Sequence, residues 1–150
     1  MKKFLVIPAA LVAVASVTVV LTPSVSAASP RSGDLHVTKE CHEYEGKAGQ
    51  HCTITSSNIP EIKVGTPVVY ASDAGVPTPG WLKSDLIIDG PGNNNAHGHV
   101  VLDLSTGTGV VTFSGGTGEF KHFYAQKIDV SPLGWPNFAW DGTYSFSPPN

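Results

Sequence analysis

From residue 35 onward the chain is written in short runs of alternating apolar and polar residues, broken by glycine, proline, asparagine and serine. Alternation with a period of two, rich in β-branched and aromatic residues, is the signature of half-buried antiparallel strands. The clearest stretch is residues 97–128. Val100, Leu102 and Leu104 alternate with Val101 and Asp103; Val110, Val111 and Phe113 form a short β-rich run; and Phe120, His122, Tyr124, Gln126 and Ile128 occupy every second place. The breaks at residues 105–109 and 114–118 are glycine-rich, as tight hairpin turns demand. Gly116 or Gly118 is therefore expected at positive φ. Weaker alternation predicts further strands over 35–43, 51–57, 66–72, 81–89 and 137–147. No run after residue 28 has the spacing of an amphipathic helix. The pattern predicts an all-β chain of about eight strands in an up-and-down meander. Closing it into a barrel would remove the exposed edges that invite aggregation.

Parity along these strands assigns the faces. Gly98, Val100, Leu102 and Leu104 are expected to point inward, which turns His97, His99 and Asp103 outward. In the strand predicted over 119–130, Phe120, Ile128 and Val130 form the apolar set. His122, Tyr124 and Gln126 share their parity and are expected inside, while Glu119, Lys121, Lys127 and Asp129 face water. A bulge would exchange the faces locally. An eight-stranded barrel has room for its own side chains or for one small ligand. His122, Tyr124 and Gln126, walled by Tyr70, Trp140 and Tyr144, are thus candidate ligand-binding residues. The alternative is a filled core in which these groups satisfy one another.

Residues 1–27 read differently. A short basic start at Lys2 and Lys3 precedes an almost wholly apolar run, then Pro23 and the small-x-small sequence ending at Ala27. This predicts a secretory signal peptide cut after Ala27, with an uncleaved membrane anchor as the competing reading. A lead-in over 28–34 and a barrel domain over 35–150 would follow. Without Lys2 and Lys3, seven Lys and Arg remain of nine, against twelve Asp and Glu, a net charge of −5. The basic residues are scattered singly, so neither a nucleic-acid face nor a membrane-binding patch is expected.

Cys41 and Cys52 flank a turn at residues 45–50. In an exported chain such a pair most simply forms a disulfide, and its spacing lacks the short interval of redox and zinc motifs. His97-x-His99 has a known metal-ligand spacing, but parity sends His122 to the other face, and no metal site is expected. No cofactor motif and no G-x-S-x-G elbow occurs.

The sequence S-G-G-T-G-E-F at residues 114–120 resembles the G-G-T/S-G-x-F hairpin of the allene oxide cyclase barrel superfamily, which includes the plant allene oxide cyclases and the dirigent proteins. The G-H-V-V-L-D-L run at 98–104 and F-A-W-D-G-T-Y-S-F at 138–146 resemble it too, and the likeness extends in order over roughly residues 52–147. It implies a closed antiparallel barrel of about eight strands. It also implies either cyclisation of an unstable epoxide or guidance of a reactive intermediate, achieved largely by holding a flexible substrate in one conformer. The plant cyclases use a carboxylate, a water-holding asparagine and a nearby proline close to the first barrel strand. Asn58, Pro60 and Glu61 supply those residue types, in the order N-I-P-E rather than the plant E-x-N. Asn58 and Glu61 are therefore candidate catalytic residues, against the simpler reading of 58–61 as an inter-strand turn. Two functions stand at this point. One is a secreted, non-catalytic barrel that holds a small apolar molecule or persists as a filled, stable shell. The other is an isomerase or cyclase acting inside the barrel. Ligand identity and oligomeric state stay open.

Overall fold

The computed structural model describes residues 31–147. Eight strands follow in chain order: β1 (Ser32–Glu40), β2 (His51–Ser57), β3 (Pro67–Tyr70), β4 (Trp81–Asp89), β5 (Asn95–Asp103), β6 (Thr108–Gly116), β7 (Tyr124–Pro132) and β8 (Asn137–Ser145). Each pairs antiparallel with its sequence neighbours, and β8 returns to β1, so the sheet closes into the expected barrel. The closing seam is long, running from Ser32 opposite Ser145 to Glu40 opposite Asn137. Residues 32–34 thus belong to this seam rather than to a loose lead-in over 28–34. The expected signal peptide over 1–27, with its cleavage at Ala27, lies outside the described residues.

Consecutive connections fall at alternate ends of the barrel. Those at 41–50, 71–80, 104–107 and 133–136 lie at one end; those at 58–66, 90–94 and 117–123 lie at the other, together with Phe146. The second end is plugged. Ile59, Ile62, Phe120, Phe123 and Phe146 are all buried there. Phe123 is the hub, with ring centroids 5.3 Å from Phe113 and Phe146, 5.6 Å from Phe120 and 6.1 Å from Tyr144. Tilted and edge-on aromatic pairs at these separations stabilise beyond the area they bury.

Face assignment by parity holds on β5, where Ala96 and Val100 are buried while His97 and His99 are exposed. Leu104, expected inside, lies beyond the end of β5 and is exposed at the rim. On β7 parity fails. His122 and Gln126 are exposed, Tyr124 is half-buried, and Phe123 and Ala125 are the inward residues. Two features break the expected row. Phe120 belongs to a 3-10 turn, Gly118–Phe120, so the strand does not reach back to it. The β7–β8 register then shifts between Tyr124 and Ile128. A bulge here places two residues against one, so Ala125 and Ile128 both face inward although their parities differ. The expected inward row of His122, Tyr124 and Gln126 is therefore corrected.

The tight turn expected at 114–118 is also longer than predicted. β6 continues through Gly116, and the chain reaches β7 by way of the 3-10 turn. Gly118 has the expected positive φ, +57°. Gly116 is needed for a different reason: a Cβ there would lie 1.9 Å from the Asn95 carbonyl oxygen on the neighbouring strand.

Candidate functional site

The site grows from the inner face of β1. Leu35, Val37 and Lys39 alternate inward, and Cys41 follows in the same phase. Lys39 is thereby carried into the unplugged end of the barrel, where only 5% of it is exposed. β8 lies beside it, with Phe138 directly opposite Lys39 and Trp140 opposite Val37. β3 contributes Tyr70, and the Cys41–Cys52 disulfide closes the site from the β1–β2 side.

Lys39 Nζ sits in an aromatic box, 5.1 Å from the ring centroids of Tyr70 and Trp140 and 5.4 Å from that of Phe138. It donates a hydrogen bond to the Tyr70 hydroxyl. Its other neighbours are the sulfur atoms of Cys41 and Cys52, at 3.7 and 3.6 Å, which are weak acceptors. None of the ion pairs among the described residues involves Lys39. A buried ammonium without a carboxylate loses its hydration and gains only partial return from ring faces and one hydroxyl. Burial accordingly pushes the Lys39 amine down to about 7. Burial, followed by the neighbouring Tyr44, raises Tyr70, which stays a phenol throughout the accessible pH range. The pair is therefore an amine that is about half neutral at pH 7, hydrogen-bonded to a neutral hydroxyl. When the amine is neutral, Tyr70 can donate to it instead.

A slot of about 70 Å³ opens over this group, lined by Lys39, Tyr44, Tyr70, Leu82, Leu102 and the disulfide, with Trp135 and Leu104 at its edge. A wider groove of about 480 Å³, bordered by His42, Tyr44, Glu45, Gly46 and Ala74, shares Tyr44, Leu104 and Trp135 with the slot. Trp135 is 71% exposed, an unusual placement for so large an apolar side chain. Tyr44 packs its ring at a tilt against that of Tyr70, the centroids 4.7 Å apart. Its hydroxyl is buried without a partner among the described residues, and burial, with the negative charge of Asp73, pushes it up to about 12.

Of the six ligand-binding candidates, the structure gathers two here, Tyr70 and Trp140. Tyr144 is buried with the aromatic plug, and His122, Tyr124 and Gln126 do not reach the slot. Asn58 and Glu61 lie at the plugged end. Asn58 is exposed and structural: its side chain accepts from the His36 amide and donates to the Asp34 carbonyl, extending the β1–β2 edge. Glu61 is half-buried in the same connection, with one carboxylate oxygen lacking a partner among the described residues. His99 pairs with Asp85 at 2.9 Å on the outer wall, and no group of three metal-ligating side chains occurs among the described residues.

Lys39 is the residue that sequence reasoning missed. Its signal was present, because the period-two run Leu35-x-Val37-x-Lys39-x-Cys41 places it among buried positions. The strand predicted over 35–43 includes it, but lysine is so seldom fully buried that parity alone does not mark it as an inward residue.

The disulfide expected between Cys41 and Cys52 is present, with the sulfurs 2.08 Å apart. It also forms part of the slot wall. A thiol assay on unfolded, unreduced protein should find no free thiol. Reduction should cost about 2–3 kcal/mol of stability on the chain-entropy account of so short a loop. Two titratable thiols before reduction would contradict the structure.

No family model, curated protein or solved structure matches the chain.

Proposed function

We propose that this chain is a secreted barrel of the allene oxide cyclase and dirigent type that binds a small, largely apolar molecule at its unplugged end, with the ligand's polar head at Lys39. The observation that carries this reading is the Lys39–Tyr70 pair, buried without a counter-charge among the described residues, under an apolar slot that continues into an aromatic-rimmed groove. Pockets that hold small ligands combine apolar walls with a few convergent polar groups. The slot is well below the several hundred Å³ of a drug-sized site, so it takes a head of a few heavy atoms and leaves a tail against Tyr44, Leu104 and Trp135. The disulfide suits an oxidising compartment, and the predicted signal peptide is consistent with export.

A non-catalytic shell is the second reading, favoured by the aromatic plug that fills the other half of the barrel. The cyclase reading has less behind it, because Asn58 and Glu61 sit at the plugged end, away from the slot.

Fluorescence titration with 1-hexanol tests the binding reading. Trp135 should report a saturable change, identified by its loss in Trp135→Phe. Leu104→Glu, which sets a charge at the slot's edge, should weaken binding about tenfold. An unsaturable or absent response in the wild type would leave the filled-shell reading in its place.

A further inference from the structure

We propose that Lys39 is a carbonyl-trapping amine, whose Nζ forms an imine with a short aliphatic aldehyde lying along Tyr44, Leu104 and Trp135. This rests on the binding reading above and adds a covalent step to it.

The geometry supplies what imine formation needs. Lys39 lines the slot, and its Nζ lies against Tyr70 and the disulfide, which line it too, so an aldehyde head that fills the slot is brought to the amine. Its nearest hydrogen-bonding partner is a hydroxyl rather than a carboxylate. A carboxylate would hold the amine charged and unreactive; a phenol does not. The groups facing Nζ from the packed strands and loops are Tyr70 of β3, Tyr44, Phe138 and Trp140 of β8, and the bonded cysteines, none of them anionic near neutrality. Besides Tyr44, the titratable groups lining the outer groove are His42 and Glu45.

The step balances without any further reagent. The Nζ lone pair adds to the carbonyl carbon, forming the C–N bond, and one nitrogen proton passes to the former carbonyl oxygen to give a carbinolamine. The C–O bond then breaks as that hydroxyl takes a proton from Tyr70 and leaves as water, while Tyr70 is reprotonated by the second nitrogen proton in the same coupled step, so that no free phenolate forms. The C=N bond remains. Tyr70 ends as it began. An apolar slot disfavours the water needed for the reverse reaction. At pH 7 the buried amine offers roughly a thousandfold more of its neutral, nucleophilic form than an ordinary lysine does.

The protein carries its own controls, since Lys47, Lys63, Lys83, Lys121 and Lys127 are all exposed. The mature protein would be incubated at pH 7 with hexanal and cyanoborohydride, which reduces the imine to a stable secondary amine, and then peptide-mapped. Lys39 should be alkylated at least tenfold faster than any exposed lysine. The chain's α-amino group, partly neutral at this pH, is mapped separately. Excess 1-hexanol should slow labelling of Lys39 alone, and Lys39→Met should remove that adduct while leaving the others. Labelling of Lys39 no faster than that of exposed lysines, with 1-hexanol still binding saturably, would overturn the covalent step and leave the pocket standing. If neither hexanol binding nor selective labelling is seen, both fall together.

Discussion

Lys39→Met should stabilise the barrel by about 2–3 kcal/mol at pH 7, and it should flatten the dependence of stability on pH between about 7 and 9.5. The amine falls from its ordinary 10.5 to about 7 on folding. Between those values the unfolded chain binds a proton that the folded one does not, so stability rises with pH across the window. Below about 7 both states are protonated and the desolvation cost is felt in full; toward 10.5 it disappears. A shift of this size corresponds to at most about 5 kcal/mol, at about 1.4 kcal/mol per unit. The variant gives part of that back, because Tyr70 loses its partner at a cost of about 1–2 kcal/mol. Wild type should therefore gain about 3 kcal/mol from pH 7 to 9.5, while Lys39→Met gains little. The window must close near 9.5, because tyrosines of the unfolded chain ionise from about 10, whereas the buried Tyr44 and Tyr70 resist. Urea melts at stepped pH measure both slopes. Equal slopes for the two proteins would mean that Lys39 keeps its charge throughout, and a destabilised Lys39→Met at pH 7 would mean that its ring contacts outweigh its desolvation.

Phe123→Ala should destabilise by about 3–5 kcal/mol, while His122→Ala, one position away, should stay within about 0.5 kcal/mol. Phe123 is fully buried and meets four other rings. Truncating it opens a cavity inside a closed wall, where the neighbours can relax little. His122 projects into solvent. The pair of melts is a direct measure of which parity the chain adopts before β7. A large loss for His122→Ala with a small one for Phe123→Ala would reverse the assignment made here.

The architecture was legible in the sequence because it depends on information repeated many times. Alternation in eight segments, turn residues between them and the absence of helical spacing all point to one meander, and an error in any single strand leaves the total unchanged. The Cys41–Cys52 bond was legible because a single turn separates the two residues. Tyr70 and Trp140 were placed inside correctly for the same local reason, each lying in an unbroken alternating run.

What the sequence by itself determined, then, was the class of fold and the inner faces of the regular strands. The tertiary structure alone decided the rest. Parity counts residues along one strand, but a bulge is fixed by two strands together, and the register shift between Tyr124 and Ile128 exchanged His122 and Gln126 for Phe123 and Ala125. Which end of the barrel is plugged depends on where the side chains of several connections converge, and no single connection carries that information. Lys39 shows the same limit most clearly. Its parity was written in the sequence, but its partners come from β3, β8 and a disulfide. A charged residue on an inner face becomes a buried amine only when closure of the barrel places aromatic rings around it and, among the described residues, brings no carboxylate to pair with it.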